Sequence, residues 1–139
     1  MNVQGTLVLR TVEGDGLRFE ASFPHGTIVL DSGNDAVAPN PVQHLLTAIA
    51  ACEGMDVIEI LRKKRQVVSG YEIQMTGERA EEHPRRFTRI EFVHRLTGSG
   101  LQRAAVDDAL RLTVEKYCSV YHSLRPDLQV TNTVEILEG

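Results

Sequence analysis

One long helix constrains the fold of this chain more than any other feature of its sequence. No residue between Pro41 and Arg65 interrupts a helix except Gly54. The segment also has a typical start, because Asn40 can cap the helix, Pro41 suits the first helical position, and Gln43 stands where a capping-box partner reaches back. The sequence therefore predicts a helix that begins at Pro41 and continues to Arg65.

This helix is predicted to be buried on more than one side. Residues 45–52 are apolar nearly all the way round. Ala48, Ala50, Ala51 and Gly54 are small enough for another backbone to approach closely. Such a surface suits the seam of a dimer, although the core helix of a monomer has the same pattern.

Alternation of apolar and polar residues predicts strands on both sides of the helix. A turn at Pro24–Gly26 and another at residues 13–16 separate the strands before the helix. The predicted strands comprise residues 6–9, 17–23 and 27–30 before the helix, and residues 71–76, 90–96 and 128–136 after it. We expect these strands to pair largely as hairpins.

A second long helix is predicted between the fifth and sixth strands. Ser99 and Gln102 match a capping box at its start, an apolar stripe runs from Val106 to Tyr117, and Pro126 stops helical structure. The order is three strands, helix, two strands, helix, strand. This order predicts one α+β domain over residues 1–139.

Composition and charge exclude several classes of function. Of 139 residues, 42% are hydrophobic and 24% charged, as in an ordinary globular protein. The formal net charge is −4 without a basic block, so we expect no nucleic-acid partner. The longest nearly apolar run, Leu45–Cys52, is far shorter than the ~20 residues of a membrane span, and no apolar leader is present. We therefore expect a cytoplasmic protein with no membrane partner.

Two cysteines, Cys52 and Cys118, are the candidates for chemistry. In a reducing compartment each could simply be a small buried hydrophobe. Cys52 lies within the first helix and shares a face with Ile49 and Asp56. An apolar setting leaves a cysteine inert unless a cation or a helix N-terminus stabilises the thiolate, and Asp56 opposes ionisation unless a base is paired with it. Local sequence alone does not make Cys52 a nucleophile.

The setting of Cys118 depends on the second helix, and two alternatives stay open at this point. If one helix runs through to Leu124, Cys118 is a side position beside Val114 and Tyr121. If the chain breaks near Tyr117, Cys118 starts a short helix and gains the favourable dipole at its N-terminus.

Other chemistries have weak support. Cys118 and His122 have a helical spacing that could bind a metal, but two ligands without a further pair do not make a zinc site. His94, on an apolar strand face, is predicted to be a core histidine rather than a ligand. Gly14–Gly16 is read as a hairpin turn, because no helix follows it as in a phosphate loop. We expect no metal and no bound organic cofactor.

Three stretches of the sequence together resemble the OsmC/Ohr family, the osmotically inducible and organic-hydroperoxide-resistance proteins. They are the Asn40–Pro41 helix entry, the run Leu45–Cys52 and the segment Glu115–Val120. The separation of the two cysteines and the order of strands and helices are also similar. The segment Gly77–Pro84 resembles the OsmC-like branch rather than Ohr proper.

The resemblance implies an α+β fold with antiparallel sheets packed on two long central helices, an intertwined homodimer, and active sites at the subunit interface. It implies that Cys52 is the peroxidatic cysteine and Cys118 the resolving one. The Cys52 thiolate would attack the O–O bond of a hydroperoxide, Cys118 would then form a disulfide with it, and a dithiol reductant would restore both. This chemistry requires no metal and no organic cofactor.

The sequence departs from the family pattern at the groups that activate the first cysteine. The family has a glutamate ten residues before it, where this chain has Val42 with Gln43 beside it. Gly14 stands at the hairpin position of the family's arginine, and Arg10 and Arg18 are the nearby candidates. This departure motivates an alternative function, a non-catalytic dimer with redox-inert cysteines that binds a small apolar molecule.

Overall fold

The computed structural model describes residues 1–10 and 16–139. Its helices and strands confirm the predicted α+β class. In chain order they are β1 (Thr6–Leu9), β2 (Phe19–Phe23), β3 (Gly26–Leu30), α1 (Pro41–Lys63), β4 (Gly70–Arg79), β5 (Phe87–Gly98), α2 (Arg103–Leu112), a π-helical turn (Thr113–Tyr117), α3 (Ser119–His122) and β6 (Gln129–Glu138). Backbone contacts divide the chain into two compact units, Met1–Leu45 and Leu46–Gly139, which are described in turn.

The first unit is built on an antiparallel sheet in the order β1-β2-β3. The turn predicted at Pro24–Gly26 joins β2 to β3, and Gly26 has a φ of 152°, a conformation that L side chains rarely adopt. Residues 13–15 of the other predicted turn, Gly14 among them, lie outside the described residues. Asp31, buried at the end of β3, accepts hydrogen bonds from the backbone N–H groups of Ser32 and Val37.

Helix α1 begins with the predicted capping box. The Asn40 N–H donates to Gln43 Oε1 and the Gln43 N–H donates to Asn40 Oδ1, each at 2.9 Å. The helix ends at Lys63, two residues earlier than predicted, because Arg65 adopts a left-handed conformation with a φ of 59°. There the Gln66 N–H donates to the carbonyl of Leu61, as in a Schellman motif. No helix within residues 1–10 and 16–139 is long and apolar enough to cross a membrane.

The second unit contains a mixed sheet in the order β4-β5-β6. Strands β4 and β5 are antiparallel, as expected, but β6 runs parallel to β5. The expectation of purely antiparallel sheets is therefore wrong for this sheet. The physical reason is the long connection from Gly98 to Gln129, which carries the chain back across the sheet and so allows β6 to run in the same direction as β5.

The second predicted helix is broken. Helix α2 continues into the π-helical turn, and Cys118 then takes an extended conformation, with φ −69° and ψ 101°, before α3 begins. The structure therefore has the second of the two alternatives, a break near Tyr117. The predicted Ser99–Gln102 capping box is wrong, because Gly100 turns the chain at a φ of 65° and Gln102 becomes the N-cap of α2. The Gln102 N–H donates instead to the side chain of Gln66.

Two apolar clusters hold α1 against the rest of the second unit. In one, Val57 and Leu61 pack with residues of β5 and α2. In the other, Ile49 and Ala50 pack with Ile90 and Phe92 of β5. Gly54 lies directly beside β4, since a Cβ on it would stand 3.0 Å from Ile73 Cδ1. Two of the small residues predicted for a dimer seam, Ala50 and Gly54, thus serve packing inside this unit.

Candidate functional site

The structure brings the two cysteine sulfurs together from distant parts of the chain. Cys52, in the middle of α1, is half-buried, whereas Cys118, at the break between the π-helical turn and α3, is 0% exposed. Both are free thiols. Their sulfur atoms and one carboxylate oxygen of Asp56 all lie within 4.8 Å of one another. The sequence separation of 66 residues is closed by the packing of α1 beside the connection from β5 to β6.

The helix break positions Cys118 and shapes its chemistry. The Cys118 N–H closes the π-helical turn by donating to the carbonyl of Thr113 at 2.9 Å. Its sulfur then caps α3 by accepting from the Tyr121 N–H at 3.3 Å. Burial raises the pKa of Cys118 to about 12, assisted by the neighbouring Cys52 and the charge of Glu53, while the Tyr121 N–H acts in the opposite direction. Cys118 is therefore a protonated thiol at neutral pH.

Asp56 completes the group on the face of α1 that carries Cys52, as the helical spacing predicted. Burial raises the pKa of Asp56, and the nearby charges of Glu59 and Glu53 raise it further. Its Oδ2 atom is buried and has no hydrogen-bond partner among the residues that the structure describes. Among residues 1–10 and 16–139, no cationic side chain contributes to the raised pKa of Asp56 or of Cys118.

A buried polar network next to this group was not predicted from the sequence. Glu53 is 0% exposed, and neither of its carboxylate oxygens has a hydrogen-bond partner in the described part of the chain. His94 Nε2 lies 3.6 Å from Glu53 Oε2, too far for a hydrogen bond, and 2.8 Å from Asn132 Oδ1. His94 Nδ1 is 2.6 Å from the hydroxyl of Tyr71. His94 is thus a buried, hydrogen-bonded core histidine, as predicted.

The sequence did contain a signal for this network. Asn132 interrupts the apolar residues Val130, Val134 and Ile136 on one face of β6, and His94 is a polar residue on the corresponding face of β5. In the paired strands β5 and β6, Phe92 lies opposite Asn132 and His94 lies opposite Val134. The side chains of His94 and Asn132 are therefore close neighbours on one face of the sheet. The parallel pairing that joins them was the part that could not be predicted.

The predicted activators have partners of their own in the first unit. Arg18 Nε donates to Asp31 Oδ2 at 3.3 Å, and Arg10 lies 3.7 Å from the carboxylate of Glu20. At the family's glutamate position, Val42 stands in the first turn of α1 beside the capping-box residue Gln43.

Three comparisons identify proteins similar to this chain. A family model described as OsmC-like protein matches residues 32–133. Protein YhfA of Escherichia coli strain K12 is 40% identical over 124 residues, which cover 88% of this chain and 92% of YhfA. The crystal structure of a hypothetical protein from Aquifex aeolicus VF5 matches this chain with a TM-score of 0.88 at 29% identity. The match covers 100% of this chain and 98% of the Aquifex chain.

A more distant neighbour is the crystal structure of the organic hydroperoxide resistance protein OhrB of Bacillus subtilis. It has a TM-score of 0.63 at 14% identity, covering 95% of this chain and 98% of OhrB. At this level of identity the similarity shows a shared fold.

Proposed function

Because this chain belongs to the OsmC-like protein family, we propose that it is a thiol-dependent peroxidase that reduces hydroperoxides through Cys52 and Cys118. The observation that carries the proposal is the meeting of the two sulfurs, which lie within 4.8 Å of each other. A structural neighbour is named for organic hydroperoxide resistance, which agrees with this chemistry.

The difference in exposure between the two thiols supports a division of roles. Cys52 is half-buried and can be reached by a small molecule, whereas Cys118 is 0% exposed. The high pKa of Cys118 keeps its thiol protonated, so it is a poor first nucleophile for a peroxide. Cys52 is therefore the peroxidatic residue, and Cys118 waits beside it as the resolving residue.

The proposed cycle has three steps. The Cys52 thiolate attacks the O–O bond of the hydroperoxide, which leaves Cys52 as a sulfenic acid and releases an alcohol after one proton is taken up. The sulfur of Cys118 then attacks the sulfenic sulfur, and water leaves as the disulfide forms. A dithiol reductant exchanges with the disulfide and returns both cysteines to thiols, while the reductant itself becomes a disulfide.

Apolar surroundings favour organic hydroperoxides over hydrogen peroxide as substrates. Ile49, one turn before Cys52 on α1, is fully buried in a cluster with Ile90 and Phe92. We also propose that the protein is a homodimer, as the family resemblance implies. A cytoplasmic location fits this proposal, because free thiols persist in a reducing compartment.

Consumption of an alkyl hydroperoxide in the presence of a dithiol tests the proposed function. Cys52→Ser is expected to abolish turnover. Cys118→Ser is expected to retain a single reaction with peroxide and to accumulate a sulfenic acid, which a sulfenic-acid-specific reagent traps and intact-mass measurement detects. The wild-type protein should instead lose two hydrogens per chain, the mass change of one disulfide.

Equal rates of peroxide consumption in the wild-type protein and Cys52→Ser would overturn the proposal. Tight binding of a small apolar molecule that survives replacement of both cysteines, without peroxide turnover, would support the non-catalytic alternative.

A further inference from the structure

We propose that in the reduced protein the side chains of Cys52, Asp56 and Cys118 form a binding site for a thiophilic divalent cation, for which Zn²⁺ is the best chemical match. This inference goes beyond the peroxidase activity, because it concerns a metal complex that forms without any peroxide. Its consequence is that metal binding and disulfide formation exclude each other.

The geometry of the three side chains is close to that of a zinc site. Zinc binds thiolate sulfur at about 2.3 Å and carboxylate oxygen at about 2.0 Å, so the ligand atoms of a tetrahedral site stand about 3.5–3.8 Å apart. The two sulfurs and the Asp56 oxygen already lie within 4.8 Å of one another. Closing the site therefore requires the ligand atoms to approach one another by about 1.3 Å at most.

An independent observation is that buried carboxylate oxygens of this group lack hydrogen-bond partners within residues 1–10 and 16–139. Asp56 Oδ2 is buried without a hydrogen-bond partner in the described part of the chain. Glu53 is 0% exposed, both of its oxygens lack such partners, and its charge lies near enough to affect both Cys118 and Asp56. Glu53 has His94 at 3.6 Å, but Asp56 has no such neighbour among the described residues, and a divalent cation would supply its buried oxygen with a partner.

The donor set selects the kind of cation. Two thiolates with one carboxylate match Zn²⁺, which takes sulfur, nitrogen and oxygen ligands, whereas Mg²⁺ and Ca²⁺ bind through oxygen alone. The metal site considered from the sequence paired Cys118 with His122. The structure replaces His122, which is exposed on α3, with Cys52 and Asp56. Three protein ligands leave a fourth position for water, as in zinc sites that are not closed.

Binding would change the state of both sulfurs. Each thiol must lose its proton to act as a ligand, so zinc uptake is expected to release protons. Once the sulfurs are joined to each other in a disulfide, they no longer offer thiolate ligands. Zinc is therefore expected to bind the reduced protein only, and a zinc-loaded site is expected to react more slowly with thiol reagents than the metal-free site.

Cobalt and zinc titrations of the reduced protein under anaerobic conditions test the inference. Co²⁺ serves as the spectroscopic probe, because thiolate ligation gives a strong charge-transfer band in the near ultraviolet. Zn²⁺ is then added in competition with a chromophoric chelator. We expect one metal per chain, loss of the band in the Cys52→Ser/Cys118→Ser double variant, and affinity reduced at least tenfold in Asp56→Asn.

Glu59→Gln is the matched control, because Glu59 is an exposed carboxylate near Asp56 on the same helix but not one of the three ligands. Its zinc affinity should fall far less than that of Asp56→Asn, because Glu59 acts on the site only through its charge, and circular dichroism should show that every variant is folded. Absence of the near-ultraviolet band, or equal zinc affinity in the wild-type protein and the double variant, would overturn the inference. Equal weakening by Asp56→Asn and Glu59→Gln would also overturn it.

The two proposals fail independently. Peroxide turnover by the metal-free protein is measured without zinc, and metal binding is measured without peroxide. Turnover without metal binding would therefore remove this inference alone, and metal binding without turnover would remove the peroxidase alone.

Discussion

Glu53 places a carboxylate in the interior with no hydrogen bond to any residue within the described ranges. Its charge acts on Cys118 and on Asp56, and His94 Nε2 lies 3.6 Å from its Oε2 atom. Burial together with the charge of Glu53 also raises the pKa of Tyr71. The thiol pair is thus continuous with a buried network that ends at Tyr71 and Asn132.

Tyr71→Phe is predicted to destabilise the protein by about 1–2 kcal/mol, because it removes the hydroxyl that pairs with a buried nitrogen of His94 at 2.6 Å. With Nε2 donating to Asn132, Nδ1 accepts from the Tyr71 hydroxyl, and a phenylalanine would leave this acceptor unpaired. The free energy of unfolding from urea denaturation measures the effect.

Tyr117→Phe is the control for this substitution. The Tyr117 side chain is 49% exposed, so removing its hydroxyl should change the free energy of unfolding by less than about 0.5 kcal/mol. Equal stability of Tyr71→Phe and the wild-type protein would show that the Tyr71–His94 pair contributes no net stability.

At the residue scale, the sequence singled out the two cysteines that meet in the structure but not their surroundings. Cys52 and Asp56 could be placed on one face because the spacing of four residues within a helix is a local rule. The approach of Cys118 and the burial of Glu53 depend on packing between elements far apart in the chain, for which a single sequence carries no rule.

At the scale of the elements, the break before α3 determines where the second sulfur lies. A regular helix through Leu124 would have left Cys118 as an ordinary side position. The π-helical turn instead ends at Tyr117 and gives Cys118 an extended backbone. The sulfur therefore caps α3 by accepting a hydrogen bond from the Tyr121 N–H. It is buried in the interior and is not exposed to solvent. π-Helical turns of this kind are frequent at functional sites.

Gly54→Leu is predicted to destabilise the protein by about 1–3 kcal/mol through overpacking between α1 and β4. A Cβ at this position would stand 3.0 Å from Ile73 Cδ1, and the rest of a leucine side chain has to displace the neighbouring side chains of Ile73 and Tyr71. Leucine is a better helix former than glycine, so a loss of stability would report the packing contact and not the helix.

Met55→Leu supplies the reference for this effect, since Met55 is the next residue of α1 and is 72% exposed. Its melting temperature should stay close to that of the wild-type protein, while that of Gly54→Leu falls by several degrees. A higher melting temperature for Gly54→Leu would mean that α1 does not pack tightly on β4.

The elements themselves were largely predictable, and their connections were not. The capping box at Asn40 forms because it joins residues three apart, and strands β2 to β5 follow from local alternation. The Ser99–Gln102 box fails because the intervening Gly100 adopts a left-handed turn. The parallel direction of β6 depends on the path of the connection before it, which the alternation within a strand does not encode.

At the scale of the whole molecule, the sheet of the first unit has one face that is apolar and carries exposed side chains. Directly paired residues in a sheet share a face, and so do alternate residues along a strand. The face that contains Leu7 is apolar throughout, and its members are Leu7, Leu9, Phe19, Ala21, Phe23, Gly26, Ile28 and Leu30. Four of them, Leu7, Leu9, Phe23 and Ile28, remain 60%, 47%, 42% and 42% exposed. An exposed apolar face of this kind marks an interaction surface.

A second copy of the chain is the partner that the proposed homodimer supplies for this face. Sedimentation equilibrium is therefore predicted to give twice the chain mass of 15.4 kDa. Leu9→Glu, which places a charge on the apolar face, should weaken dimerisation at least tenfold, since burial of an unpaired charge is costly. Val8→Glu should leave the dimer intact, because Val8 points to the opposite face, where it is paired with Glu20.

A wild-type protein that sediments only at 15.4 kDa would contradict the homodimer. Unchanged dimerisation in Leu9→Glu would remove this face from the interface, and the surface that joins the two chains would then have to lie elsewhere.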